Sequence, residues 1–491
     1  MHYDSIIIGA GLSGLTCALL LGRKGKRVLV LEQNAHPAPL VRGFYRNGLY
    51  FDSGFHYAGG LGEDGPLRLF FRHLGLEGKL ELFPFAKDGF DGLRFTVTGE
   101  EFFLPVGLAN IEAFLSARFP QARKRISVFL QEVFAKWRNF PYLDLDVDLA
   151  DFGIAAVHGM SLHERLQEFE PWPQLQGILS MHSLLYGLPP ESVSVSFNAM
   201  VAGSYYDSVH GICGGGRSLI NAFQELLAAA GVEILCNQDV AHILAESRGV
   251  SGVRLTSGKE FSAREVVATV SPGLLPRLLP PGIFRPAYSK RLKNLRQTSS
   301  AYIGFFQSRG TSEFLRGRNL FSQPCPGIFN GAADQVLEKR SFFIAGTDQG
   351  RGRGAHGVVF IVPASYDEVS CWQEPGSDRP AGYIAWKREI GARMQTMLKK
   401  SCPEIPEPEL VELGTPLTFC RYSRASEGAI YGTGHWLGQY NPHPATRLPG
   451  LFLSGQAVTA PGLLGVMTAA YLTCGSILGH EHLRGELRTC R

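Results

Sequence analysis

Three glycines carry the clearest chemical purpose in this chain: Gly9, Gly11 and Gly14, in the run Gly9-Ala10-Gly11-Leu12-Ser13-Gly14. This spacing suits a turn that lays bare backbone against a pyrophosphate. Gly9 permits the tight bend, Gly11 lets the main chain approach phosphate oxygens, and Gly14 lets the following helix pack on a strand. Leu12 and Ser13 open that helix, whose free N–H groups and positive dipole end attract an anion. Glu32, eighteen residues beyond Gly14, stands where a carboxylate accepts hydrogen bonds from ribose hydroxyls. No catalytic triad, metal-ligand cluster or paired-carboxylate motif emerges elsewhere, so no metal is expected.

The elements that must position these residues flank them directly. Ser5-Ile6-Ile7-Ile8 reads as a buried strand running straight into the turn. Residues 15–23 read as a helix, and Arg27-Val28-Leu29-Val30-Leu31 as a second strand ending on Glu32. A Gly-x-Gly-x-x-Gly alone is weak. With both strands, the helix and the acid in place it becomes a dinucleotide-binding βαβ unit.

With 491 residues the chain needs two or three domains. Hydrophobic residues at 45% and charged residues at 19% describe a globular protein. A net charge of +4 without a basic block argues against nucleic acid, while permitting modest attraction to an anionic membrane surface. Nine scattered cysteines, with no Cys-x-x-Cys pair, point to reduced thiols rather than disulfides or zinc. The chain enters its first strand within five residues, leaving no room for a signal peptide. The longest apolar run, residues 463–478, is interrupted by Gly465, Thr468, Thr473, Gly475 and Ser476 and reads as a buried helix. The expectation is a cytoplasmic protein that does not span a bilayer.

The nucleotide-binding half is assembled from separated pieces, residues 1–92, 214–270 and 449–491. The middle piece starts at Gly214-Gly215-Gly216, continues as a helix and ends as a strand meander. Residues 93–213, helix-rich and aromatic, and 271–448, richer in proline, would build a second domain over the first. Within it, residues 122–140 form the best amphipathic helix, with Ile126, Phe129, Leu130, Val133, Phe134 and Trp137 on one face and basic residues beside them. Two readings stand: a membrane-facing helix admitting an apolar substrate from lipid, or a core helix.

The chain resembles the flavoprotein carotenoid desaturases and isomerases, together with the retinol saturases. The resemblance rests on the opening motif, on residues 28–33 ending Glu32-Gln33, and on Asn47-Gly48-Leu49-Tyr50-Phe51-Asp52-Ser53-Gly54-Phe55-His56-Tyr57. It continues through residues 214–269, Arg421-Tyr422, Glu427-Gly428-Ala429-Ile430-Tyr431-Gly432 and residues 449–479. Ser454-Gly455-Gln456, followed by Gly462-Leu463-Leu464-Gly465, looks most like the retinol saturase branch, with Gln where many relatives carry Asp.

The resemblance implies an α/β fold: a Rossmann-type FAD-binding domain like that of glutathione reductase and the flavin amine oxidases, with a discontinuous α+β substrate domain. It implies FAD as cofactor, held by the opening motif, Glu32, Gln33 and Val240, and by Gly455, Gln456, Gly462, Leu463 and Leu464. A helix start after Pro461 would face the isoalloxazine and stabilise charge developing on reduction. One departure stands out: the family's Gly-Gly pair after the second strand falls on Ala38-Pro39. Pro39 cannot donate to phosphate. Arg42 would compensate with a charge-assisted contact, or else is an ordinary loop arginine.

The implied activity is hydride transfer between flavin N5 and a C=C or C–C bond of an apolar polyene or isoprenoid, as desaturation, saturation or isomerisation. His56, Tyr57, Glu427 and Tyr431 are the candidate proton donors. Residues 211–216 are glycine-rich but lack a second βαβ frame for NAD(P)H. Electrons would then pass to or from a quinone, oxygen or a reductase protein, with direct nicotinamide use left open. Two other readings stand beside this one: a flavin-free prenyl-lipid escort protein, and a flavin amine oxidase.

Overall fold

The opening strand, His2–Ile8, pairs in parallel with Val28–Leu31 on one side and with Glu260–Ala268 on the other. The computed structural model describes residues 2–147, 149, 158–347, 355–373 and 379–491. Glu233–Leu235 extends this sheet beyond Val28–Leu31, and Leu451–Leu453 joins the far end of Glu260–Ala268, both in parallel. Gly249–Leu255 and Val240–Glu246 continue it antiparallel from the near end. Strands buried on both faces read as unbroken apolar runs, and Ile6, Ile7, Leu29 and Val30 have no exposed surface.

The helix Leu12–Gly22 is buried along its whole length. Helices Gly215–Ala229 and Gly462–Leu478 pack against it. Residues from the first, middle and last parts of the sequence therefore meet around one turn.

A second seven-stranded sheet runs in the order Glu409–Gly414, Ser300–Ser312, Ala355–Ala364, Phe342–Gly346, Asn319–Gln323, Asp91–Phe95, Glu101–Leu104. Its neighbours are antiparallel except Asn319–Gln323 and Asp91–Phe95. One face packs on Arg123–Arg138, Pro173–Ser180 and Val195–Asp207, the other on Ala381–Ser401. The boundary drawn at residue 92 cuts through a strand, because Asp91–Phe95 belongs wholly to this second sheet.

The membrane-facing reading of residues 122–140 is corrected by the packing of Arg123–Arg138. Ile126, Phe129, Leu130, Val133 and Trp137 have no exposed surface. Their apolar stripe lies against Val195–Asp207, where Gly203 makes room: a Cβ there would sit 2.5 Å from the Trp137 Cβ. The stripe already has a protein partner, so it is not available to lipid. Among the described residues no helix is long and apolar enough to cross a membrane. Among the described residues no disulfide is formed.

Candidate active site

Each glycine of the opening turn is required for a different reason. Gly9 has φ +102°, and a Cβ there would strike Thr269 Oγ1 at 2.5 Å. A Cβ on Gly14 would lie 2.1 Å from the Gly9 carbonyl, so Gly14 is needed for helix–strand contact. Gly11 has an ordinary extended backbone, φ −65° and ψ 169°, and a Cβ on it would meet nothing within 4 Å. The protein itself gives no reason for glycine at that position. A phosphate lying over the backbone does, beside a helix start that no side chain caps.

Glu32 is 5% exposed and spans the turn. Its Oε2 accepts from the Ala10 N–H at 2.9 Å, and its Oε1 from the Asn34 N–H and Nδ2 at 2.8 and 2.7 Å. A carboxylate offers about four acceptor sites, so capacity remains for ribose hydroxyls. The Gln238 N–H donates to the Glu32 carbonyl, which brings the start of Val240–Glu246 to this end of the sheet. Gln33 faces outward, its Nε2 3.5 Å from the Tyr422 carbonyl.

Ala38 takes the left-handed conformation, φ 47°, and its N–H donates to the Ala10 carbonyl at 3.0 Å. An alanine there costs about 1 kcal/mol relative to glycine. Ala38 thus spends its donor on the turn and Pro39 has none. The Arg42 guanidinium has no hydrogen-bond or ion-pair partner among the described residues, and it is half-buried rather than loose in solvent. It acts on the same thiol as Glu32: burial and Glu32 push Cys236 up, and Arg42 pulls it down. Arg42 is therefore a free cation at the edge of the cradle.

The last strand delivers Ser454, whose hydroxyl is 2.7 Å from that of Ser13. Gly455, at φ +114°, turns the chain. The Gln456 carbonyl accepts from His435 Nε2 at 2.9 Å, and Gly432, at φ +61°, leaves room for the Gln456 amide. Gly462 begins its helix at φ +81° with open space where a Cβ would stand, while Leu463 and Leu464 are buried. Gly11, Arg42, the Gln456 amide and the Gly462 helix start together fit an extended, phosphate-bearing coenzyme with a flat ring system.

Asp52 accepts from the Tyr50 hydroxyl and from the Gly216 N–H, fixing the loop that leads to His56 and Tyr57. Both ring nitrogens of His56 are buried without a partner, and desolvation lowers its pKa to about 4. The Tyr57 hydroxyl donates to Asp91 Oδ2 at 2.8 Å. His182 Nε2 donates to the same oxygen at 2.9 Å, and Asn319 Nδ2 to Oδ1 at 2.9 Å. Tyr57 packs on Tyr205 and Phe85, with ring centroids 4.7 and 5.4 Å away.

Tyr205 and Tyr431 retain accessible surface, yet desolvation raises both hydroxyls far above the usual phenol range. Phe343 lies beside both His56 and Tyr57, with ring centroids 5.7 and 6.3 Å away, and Tyr431 lies within electrostatic range of Tyr57. The structure leaves Glu427 outside: that residue is exposed, at φ 58°, in the turn Ser426–Gly428. Asp91, His182, Asn319 and Tyr205 join the group without any spacing in the sequence that singles them out.

A coenzyme cradle and a buried cluster of aromatic side chains fit a flavoenzyme-type site, and comparison with known proteins agrees. The family described as flavin containing amine oxidoreductase matches residues 12–474. The chain belongs to that family: it is a flavin-containing oxidoreductase, and its cofactor is FAD. It is 27% identical to the all-trans-retinol 13,14-reductase of Rattus norvegicus, over 99% of this chain and 87% of that protein. It is 24% identical to the hydroxyneurosporene desaturase of Rubrivivax gelatinosus, over 97% and 93%. A chloroplastic prolycopene isomerase of an Oncidium hybrid cultivar is 25% identical over 55% of this chain and 48% of that protein. Among solved structures, an oxidoreductase from Methanosarcina mazei superimposes with a TM-score of 0.68 at 17% identity, over 97% and 100%. Cyclohexylamine oxidase from Brevibacterium oxydans gives 0.63 at 17%, over 98% and 99%. These likenesses establish the same fold.

Proposed function

We propose that this FAD oxidoreductase acts on a C=C or C–C bond of an apolar polyene or isoprenoid. The observation that carries the reading is the aromatic cluster in which Tyr57 packs on Phe85, Tyr205 and Phe343 beside His56, and whose carboxylate, Asp91, is already held by three donors. Near-full-length likeness to a retinol reductase and a carotenoid desaturase supports it. Bound FAD supplies hydride transfer.

The chain's own residues do the rest. Gly9, Gly11, Gly14 and Glu32 hold the adenosine and pyrophosphate, and Arg42 adds a charge-assisted contact. Gln456 and the helix from Gly462 would hold the ring end. The aromatic walls exclude water and seat an apolar chain, while Tyr57 and Tyr431 are placed to hold or pass a proton. His56 would act as a neutral imidazole, since burial keeps it uncharged well below neutral pH.

Space over Gly11 and an unpaired Arg42 weigh against the flavin-free escort reading. Electron exchange would run through a quinone, oxygen or a reductase protein. A cytoplasmic location with contact at a membrane surface remains part of the proposal. The test is anaerobic incubation with a polyene panel, under reducing and oxidising conditions, followed by mass analysis. A product gaining or losing two hydrogens supports the reading and gives the direction, and an isomer of equal mass supports the isomerase variant. Turnover of amines with no change in any polyene would overturn it.

A further inference from the structure

We propose that the basic face of residues 272–296 docks an acidic electron-carrier protein of the ferredoxin or flavodoxin kind, which exchanges electrons with the bound FAD. The inference rests on the redox reading of the site and names its electron partner.

The distribution of charge carries the inference. Residues 272–296 hold Arg277, Arg285, Lys290, Arg291, Lys293 and Arg296, and no Asp or Glu occurs anywhere from 266 to 312. These cations outnumber the net charge of +4 on the whole chain. All are exposed, and none enters an ion pair among the described residues. Leu275, Phe284, Leu292 and Leu295 are buried in the core of the first sheet, which leaves Lys290, Arg291 and Lys293 on the outer side of the helix Pro286–Lys293. The segment exposes no large apolar side chain that could enter a bilayer core. Such a face steers an anionic partner into a weak, salt-sensitive encounter, the kind that electron carriers make.

The same face ends at the segment assigned to the ring end of FAD. Arg296 donates its N–H to Gln439 Oε1 at 2.9 Å, and its carbonyl accepts from the Gly434 N–H at 3.0 Å. Its guanidinium stands 3.5 Å from the centroid of the Trp436 ring. From this loop His435 Nε2 donates to the Gln456 carbonyl and Asn441 Nδ2 to that of Ala457, at 2.9 and 3.0 Å. Residues 428–480, which include the loop and the Gln456 turn, also lack Asp and Glu. A carrier seated on Arg296 is therefore one loop away from Gln456. The strand before Gly214-Gly215-Gly216, Val209–Ile212, pairs antiparallel with Ala58–Gly59 and Leu82–Pro84, so it opens no second βαβ unit for a nicotinamide.

In saturation, two reduced carriers would each lose one electron. Those electrons and two protons from water convert FAD to FADH2, and the C=C bond then takes up both hydrogens. Desaturation runs the same exchange in reverse.

The test mixes the FAD-loaded protein anaerobically with reduced plant-type ferredoxin or reduced flavodoxin, without polyene, and measures the second-order rate of flavin reduction. With at least one carrier the rate should fall more than about tenfold between about 0.01 M and about 1 M salt, as the Debye length shrinks from about 30 Å to about 3 Å. Lys290→Glu/Arg291→Glu/Lys293→Glu should slow it about tenfold or more at low salt, and the milder Lys290→Gln/Arg291→Gln/Lys293→Gln by a smaller factor. Reduction by dithionite should be unchanged in both. Lys399→Glu/Lys400→Glu reverses exposed lysines at the end of Ala381–Ser401 and should leave the rate near wild type.

Reduction by neither carrier, a rate insensitive to salt, or an equal loss in the Lys399/Lys400 variant overturns the proposal. So does patch-dependent binding to phosphatidylserine vesicles or duplex DNA without reduction by either carrier, which would assign the face to a bilayer or a nucleic acid. Polyene conversion by the dithionite-reduced protein is read separately. Conversion there without reduction by a carrier overturns the docking face alone, and reduction by a carrier without conversion overturns the polyene reading alone.

Discussion

The hydroxyls of Ser13 and Ser454 meet at 2.7 Å although 441 residues separate them. Ser13 stands in the first turn of the opening helix and Ser454 at the end of the last strand of the sheet. This contact closes the cradle, since the segment that continues from Ser454 through Gln456 to Gly462 is the part that would hold the ring end of FAD. Ser454→Ala should leave the fold intact, cost about 1 kcal/mol in thermal or urea unfolding and weaken FAD retention on gel filtration.

Gly11 and Gly14 should fail differently. Gly11→Ala puts a methyl into open space, so the apoprotein should unfold with the wild-type midpoint while FAD stoichiometry falls to near zero. Gly14→Ala drives a methyl to 2.1 Å from the Gly9 carbonyl and should cost about 3 kcal/mol of stability through overpacking. Full FAD occupancy in Gly11→Ala would contradict the assignment of the cradle.

Arg42→Ala should lower FAD affinity about tenfold, as expected for loss of one charge-assisted contact, with no change in urea midpoint of the apoprotein. Ala38→Gly should raise that midpoint, because it relieves a left-handed alanine costing about 1 kcal/mol. Titration of apoprotein with FAD reads the first effect, and equilibrium unfolding the second.

Stability should fall on acidification through His56 and His435. In the native protein both stay neutral down to about pH 4, because burial disfavours their charged form. In the unfolded chain each takes a proton near its ordinary value of 6.5. The unfolded state thus binds more protons between these limits, so the contribution is fully present above the unfolded value and is lost as pH drops toward 4. Each histidine accounts for about 3 kcal/mol at most. Urea midpoints measured from pH 7.5 to 5 should fall less steeply in His56→Phe.

Trp137→Ala should destabilise the protein by about 3–5 kcal/mol, the usual result of emptying a buried aromatic site. Flotation with liposomes should not change, because Trp137 lies inside the protein. A loss of liposome binding with stability preserved would restore the membrane-facing reading of that helix.

The coenzyme half was legible in the sequence because its signals are local. A turn that needs Gly9, Gly11 and Gly14 sits between a strand and a helix a few residues away, and Glu32 follows at a fixed offset. The aromatic cluster was legible only in part. His56, Tyr57 and Tyr431 fall in motif-bearing segments, but Asp91 and His182 lie 91 residues apart and meet only because a strand of the second sheet faces a short helical turn. Glu427 shares a segment with Tyr431, yet a left-handed turn carries it to the surface. The stripe of Arg123–Arg138 has the same periodicity whether lipid or protein covers it, and the small residue that decides, Gly203, is remote in sequence.

The most direct measurement mixes the anaerobically reduced FAD-loaded protein with an all-trans polyene alcohol and follows the visible absorbance of oxidised flavin. Return of that absorbance with a product heavier by two hydrogens, or an isomer of equal mass formed while the flavin stays reduced, is the predicted result, as is bleaching of the oxidised protein with a product lighter by two hydrogens. Polyenes recovered unchanged in both redox states, while a primary amine promptly reduces the oxidised protein, would contradict it.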